Sequence, residues 1–391
     1  MDLDLSPEMR AFRDEVRTWL RENVPSEPQP HDGPEMRDFD LAWQRTQYDG
    51  GWAGINWPVE YGGRGLSLLQ QMIWFEEYAW ADAPDVGVSF VGVNHAGPTL
   101  IARAGDEQKA FHLPRILRGE VVWCQGFSEP GAGSDLASLS TRAEIDGDHF
   151  VVNGQKIWTS YAEHADYQEL LVRTGRGERK HDGITWTVCD MRTPGITVRP
   201  IPTMTGPAHF CEVFYDDVRI PVSNVVGEVG GGWSVAMSTL SFERGTGFLK
   251  EQVALVRLVD QLIELARDRV DARGRRRLDD EVIAQRLATA RAEAAALTAM
   301  ALADVSRNAR RPQPGVEGSM LRVFFSELGQ RVAKLAVDII EDEGLEARPY
   351  GLPDSYSANW YRTFAYTIAA GSKDIQRNII GERFLGLPRG R

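Results

Sequence analysis

The stretch SEPGAGSDL, residues 128–136, stands where the chain changes character, and its reading decides the fold. Glycines on either side of Ala132 let backbone N–H groups come close to an anion, and the hydroxyls of Ser128 and Ser134 reach polar ligand atoms. Taken alone, the same residues also make an ordinary glycine turn. Upstream, Leu, Phe, Val and Trp recur at spacings of three and four, interrupted by the turn residues of WPVEYGGRG, which predicts an α-helical domain over 1–120. Downstream the signal is β. FVVNGQKIW places Asn153 and Gly154 as a two-residue hairpin turn, and ITWTVCDM and GITVRPI are rich in β-branched and aromatic residues, so 121–228 is expected to be a small β domain, a barrel or sandwich.

After GEVGGGW the helical period returns, with Leu249, Val253, Val256, Val259, Ile263, Ala266 and Val270 in a helix ending near Gly274. Ile283 to Leu297 and Met320 to Ile339 continue the pattern in two further helices. With a closing helix near 373–385, they predict a four-helix bundle over 229–391 and an α+β multidomain fold class.

A chain of 391 residues, 42% hydrophobic and 26% charged, is long enough for two or three packed domains. Its net charge of −12 argues against nucleic acid or an anionic membrane as a general partner, while leaving room for a local basic pocket. The opening residues form a charged amphipathic segment and no run of about 18 apolar residues occurs, so the chain is expected to stay in the cytoplasm and to insert in no membrane. Cys124, Cys189 and Cys211 lack CxxC spacing and fit a reducing compartment, and the seven His show no metal-ligand spacing, so no metal is expected. In KIWTS, Trp158 offers a flat π surface and Thr159 and Ser160 offer hydrogen bonds at a β edge, although a Trp on a strand is more often core than a cofactor contact.

Five segments, WPVEYGG (57–63), GDEQKAFHLPRILRGE (105–120), SEPGAGSDL, NGQKIWTS (153–160) and IQRNIIGERFLGLPR (375–389), together resemble the acyl-CoA dehydrogenase family in its own order and spacing, over nearly the whole chain. The resemblance implies a helical domain, a β domain and a four-helix bundle, with FAD held between the last two. It implies flavin contacts from Gln125, Phe127, Ser128, Gly133, Ser134, Trp158, Thr159, Ser160, Ser372 and Asp374, and substrate contacts from Ser134 and Gly371. The implied reaction is α,β-dehydrogenation of an acyl-CoA thioester to the 2-enoyl-CoA, with electrons passed to an electron-transferring flavoprotein.

Such chemistry needs a base for the weakly acidic α-proton and donors for the developing enolate oxygen. Many family members carry the base just before the glycine of the C-terminal loop, where TIAAGSKDIQRNIIGER (367–383) has Ala370 before Gly371. Others carry it early in the first bundle helix, before an arginine, and LSFERG (240–245) puts Glu243 before Arg244. The resemblance therefore implies Glu243 as the base, with Arg244 and Ser241 contacting substrate, and burial beside flavin would raise the carboxyl pKa toward neutrality. The tetrapeptide by itself also reads as a helix-start acid paired with Arg244.

Two departures bear on assembly. In homotetrameric members an arginine followed three residues later by phenylalanine reaches the neighbour's FAD, whereas DARGRRRLDD keeps Arg273 and has Arg276 in the aromatic position. A glutamine and glycine pair elsewhere becomes DIIEDEG, with Asp338, Glu341 and Asp342 in those places, and carboxylates near a pyrophosphate repel it. The departures point to a hetero-tetramer in which a second acyl-CoA dehydrogenase-like chain supplies the trans half of the flavin site, beside a homo-tetramer with an altered clamp. Phe90, Val91, Asn94 and His95 are candidates for the acyl pocket, although a lone His in a helical domain is more often a hydrogen-bonded structural residue. A non-catalytic assembly subunit, or a flavin oxidase or monooxygenase, are the competing readings.

Overall fold

A computed structural model describes residues 5–242, 249–309, 315–346, 348 and 355–388, so Glu243 and Arg244 lie outside the described residues. Five helices open the chain: α1 (Pro7–Asn23), α2 (Gly33–Asp49), α3 (Leu68–Trp80), α4 (Gly97–Arg103) and α5 (Asp106–Leu117). Ser6 caps α1 by accepting from the Met9 N–H, Pro7 sets the first turn, and Phe12, Val16 and Leu20, four apart, bury one face. That face meets α3, where Arg17 forks onto Glu77 at 2.8 and 2.9 Å. Trp52 and Trp74 stack at 4.7 Å in the core between them.

The middle of the chain is a single curled sheet of seven strands: β1 (Trp123–Gly126), β2 (Arg142–Asp146), β3 (His149–Ser160), β4 (Tyr167–Arg173), β5 (Ile184–Asp190), β6 (Ile196–Thr203) and β7 (Gly206–Pro221). The order is β1-β4-β2-β3-β7-β6, with β5 antiparallel on β4. β1 runs parallel along the first half of β4, while β2 meets β4 only at Arg142 and Arg173. Two strands thus share one edge, which bends the sheet. The central residues of β4 and β5 are buried on both faces, as their near-continuous apolar runs require.

The hairpin expected at Asn153 and Gly154 is not there. Both residues lie inside β3, whose partner register to β7 slips between Val152 and Gly154. The turn falls earlier, with Asp146 paired to His149 and Gly147 at φ 64°. Gly154 serves packing instead, since a Cβ there would lie 2.6 Å from the Thr141 Oγ1.

Helices return with α6 (Gly232–Phe242), α7 (Leu249–Asp268), α8 (Glu281–Asn308), α9 (Glu317–Ile340), α10 (Tyr356–Tyr366) and α11 (Lys373–Ile379). Helices α7, α8 and α9 share one core built from Val259, Leu287, Leu297, Leu328 and Val332. The closing helix expected over 373–385 is shorter, stopping at Ile379 before a wide turn over Ile380–Phe384. α10, which is not among the helices expected above, packs on α9 through Phe325 and Tyr366. No described helix is long and apolar enough to cross a membrane.

Candidate active site

Strand β3 pairs Lys156 with Val213 and Thr159 with Cys211, so three steps on β3 match two on β7. The surplus residue makes a bulge, and Trp158 takes φ 61°. A bulky side chain at positive φ is an outlier that the surrounding structure must enforce. Its effect is to turn the indole outward: Trp158 is 56% exposed, edge-on to Phe210 at 6.1 Å. Phe210 in turn lies under the Arg362 guanidinium of α10, which joins the sheet to the bundle at this point. Next to the bulge, Thr159 is fully buried, and its Oγ1 has no hydrogen-bond partner among the described residues.

The glycine stretch is fastened to that strand. The Ile157 N–H donates to the Ser128 carbonyl at 2.9 Å, and the buried Lys156 ammonium reaches the Phe127 carbonyl at 3.1 Å and Glu129 Oε1 at 2.8 Å. Glu129 also accepts from the Ser140 N–H and Oγ and from the Thr141 N–H. Burial alone would raise the Glu129 carboxyl, but the Lys156 charge and the Thr141 bonds overcome it and hold the group well below the usual carboxylate range. Gly133 and Ser134 are exposed beyond this clamp, and neither Gly131 nor Gly133 has an atom within 4 Å of where a Cβ would sit. The two motifs therefore form one unit with Ser128, Trp158, Thr159 and Ser160 adjacent. Glu129 and Lys156, the pair that joins them, are absent from the residues expected from sequence, because charges in a loop and on a strand read as solvated.

Gln125 and Phe127 belong to the same unit. Phe127 is core, and Gln125 on β1 donates Nε2–H to Glu169 Oε1 of β4 at 2.8 Å. His95 Nδ1 lies 3.3 Å from the same amide nitrogen and 3.7 Å from Glu169 Oε1, and its ring meets Phe90 edge-on at 4.9 Å. Glu169 is a further residue that sequence reasoning misses. Its signal is a carboxyl in the otherwise buried strand YQELLVR.

On the bundle side, Ala370 and Gly371 both take left-handed backbone, at φ 53° and 82°. Their carbonyls accept from Gln376 Nε2 at 3.0 and 3.3 Å, and the Ala369 carbonyl accepts from Arg322 at 3.2 Å. With three carbonyls held, the exposed N–H groups of Ala370 and Gly371 donate to no described acceptor. Ser372 caps α11 by accepting from the Ile375 N–H, and Asp374 is exposed beside Arg377. No carboxyl occupies the loop at 367–371.

Other expected residues stand apart. Ser241 Oγ donates to the Ser238 carbonyl, spending its proton within α6. Arg273 is exposed beyond the far end of α7, which is about 30 Å long. Asp338 is flanked by Arg286 at 2.8 Å and by Lys334, and Glu341 meets Arg277 at 2.8 Å. At the near end of α7, Glu251 has an Oε2 that is sealed from solvent without a described partner. Burial, reinforced by Asp85 and opposed by Lys250 and Arg322, raises its pKa to about 7.

The order of helical domain, curled sheet and helical bundle is that of the acyl-CoA dehydrogenases, a class of oxidoreductase, by family comparison. Residues 6–120, 124–218 and 230–385 match the models "Acyl-CoA dehydrogenase, N-terminal domain", "middle domain" and "C-terminal domain". The chain belongs to the acyl-CoA dehydrogenase family. It is 40% identical to "Acyl-CoA dehydrogenase IpdE1" of Mycobacterium tuberculosis, covering 98% of each chain. Among solved structures it superposes on "Tcur3481-Tcur3483 steroid ACAD" with a TM-score of 0.86 at 31% identity, covering 100% of both chains. It also superposes on a chain of the "ChsE4-ChsE5 complex from Mycobacterium tuberculosis" with a TM-score of 0.82 at 33% identity, again covering 100% of both.

Proposed function

We propose that this chain is the base-bearing subunit of a heteromeric, FAD-dependent acyl-CoA dehydrogenase acting on a bulky, steroid-derived acyl-CoA. The observation that carries the flavin reading is the Trp158 bulge beside the buried Thr159 hydroxyl, which has no partner among the described residues. A buried hydroxyl without a partner is costly, and a bound polar ring edge would satisfy it. Gln125, Ser128, Gly133, Ser134, Ser160, Ser372 and Asp374 complete the cis half of the site. FAD bound there supplies the acceptor for the β-hydride.

The chain's own residues do the rest. Glu243 takes the α-proton, because Ala370 has a methyl group where many relatives have a carboxylate and no acid stands elsewhere in that loop. The N–H groups of Ala370 and Gly371 donate to the thioester carbonyl as its charge develops, and the clamps on the Ala369 and Ala370 carbonyls, which share peptide planes with them, keep them aimed. Arg244 positions the substrate. The partner reading is supported by charge: Arg277 pairs with this chain's own Glu341, and Arg286 and Lys334 share its Asp338, so these three cations are already engaged by carboxylates that would repel a neighbour's pyrophosphate. Two structural neighbours are named as paired chains, and one as a steroid enzyme. An electron-transferring flavoprotein takes the electrons onward.

The test is anaerobic addition of steroid, branched and long-chain acyl-CoAs to the protein expressed alone and with candidate partner chains. Bleaching of the flavin band by a steroid acyl-CoA in a two-chain complex, without oxygen consumption, is expected. Absence of bleaching by any acyl-CoA overturns the reading, and stoichiometric FAD in the chain alone removes the obligate partner.

A further inference from the structure

The central strand β4 is sealed from residue 168 to 172, yet it carries Glu169 at 0% exposure. A carboxylate in such a place costs several kcal/mol unless it is paired or hydrogen-bonded, so its contacts carry the reason for its presence. Those contacts span three elements. Gln125 is its register neighbour on the parallel strand β1, with the amide nitrogen 2.8 Å from Oε1. His95 comes from the wide helical turn Gly92–Ala96 of the N-terminal domain, with Nδ1 at 3.7 Å. That turn is itself pinned, because Trp57 Nε1 donates to the Val93 carbonyl at 2.9 Å and a Cβ at Gly97 would lie 2.0 Å from the Trp57 ring. Isolated wide turns of this kind recur at functional sites.

The chemistry of the acceptor sets an orientation. Glu169 Oε1 accepts from Gln125 Nε2–H, so the amide presents its NH2 to Glu169 and turns its oxygen away. An apolar residue at 169 would leave that amide free to rotate by a half-turn. Two residues after Gln125 the chain reaches Phe127 and Ser128, which the Lys156 clamp holds against the Trp158 bulge.

We propose that Glu169 is a positioning residue: its buried carboxylate orients the Gln125 amide on the flavin strand and ties it to His95 on the expected acyl wall, setting how ring and acyl chain face each other. This rests on the flavin reading above and deepens it. In this role Glu169 acts through Gln125 and His95.

The test is Glu169→Gln, which keeps the shape and replaces the accepting carboxyl by a group that presents either end. FAD is titrated into the apo-protein, with its partner chain where one is required, and the visible circular dichroism of the bound flavin is recorded beside steady-state rates and thermal melting. The expected result is a changed flavin dichroism and a kcat lowered about tenfold with KM within about twofold, at a melting temperature within a few degrees of the parent. Glu169→Asp should fall between the two. Gln125→Leu cuts the same link from the other side and decides the matter should Glu169→Gln fail to fold; it should show the same spectral change. A yellow parent beside a variant with unchanged dichroism and kcat overturns the proposal alone. A parent that takes up no FAD in any assembly overturns the flavin reading and this proposal with it.

Discussion

Among single residues, the site is marked by groups that fit poorly into a chain considered for stability alone. Thr159 is the sharpest example, since its buried hydroxyl has no partner among the described residues. Thr159→Val keeps the shape, so the apo-protein should melt at the same temperature or slightly higher, while FAD binding weakens about threefold to tenfold, the worth of one net hydrogen bond. Parallel calorimetric melting and flavin titration would check this. Glu251 supplies a pH signature. Its folded-state pKa is raised from 4.5 to about 7, so the folded state holds the proton more tightly, and stability falls as pH rises from about 4.5 through 7. Glu251→Gln should flatten that slope and add on the order of 1–3 kcal/mol at pH 8 by chemical denaturation. The residue types at the bulged edge of β3 are legible in sequence because Trp, Thr and Ser side by side on a strand already suggest a stacking and hydrogen-bonding edge. Glu129, Lys156 and Glu169 are not, because burial of a charge depends on partners distant in sequence.

Between elements, two sequence motifs become one device because Lys156 of β3 and Glu129 of the glycine loop pair out of water. Lys156→Met leaves a buried carboxylate without its cation and should cost about 3–5 kcal/mol, and the added change Glu129→Gln should restore much of it. The depressed Glu129 pKa works in the opposite direction to that of Glu251. Its contribution is complete above about pH 4.5 and is lost as pH falls toward about 2, so an acid unfolding curve should shift to higher pH in Lys156→Met. The hairpin shows why element boundaries resist reading from sequence. Asn-Gly is the strongest short hairpin signal, yet Gly147, well before it, closes the turn, and Gly154 is small because Thr141 crowds it. The bulge at Trp158 has no sequence signal, since it arises from a local register in which three steps on β3 match two on β7.

For the whole molecule, the order of helical domain, sheet and bundle is legible because hydrophobic periodicity switches from helical to strand spacing and back, a property local enough to read from one chain. The seating of α10 is not, because Phe210, Arg362 and Trp158 meet only after the chain has folded. An apolar groove of about 730 Å3 between α7 and α8, lined by Val256, Ile263, Leu287 and Ala292, leaves part of the bundle uncovered. On the hetero-oligomer reading, the chain expressed alone should hold well under one FAD per chain by absorbance, rising toward the full content of the assembly when its partner is added. The proposed activity as a whole depends on Glu243 as the base. Anaerobic stopped-flow mixing of the flavin-loaded complex, parent and Glu243→Gln, with the acyl-CoA that bleaches the parent, probes that role without intermediates of assembly or turnover. Normal FAD content in the variant and bleaching slowed by about 10²–10⁴-fold are expected, and a variant that bleaches at the parent's rate would contradict the assignment.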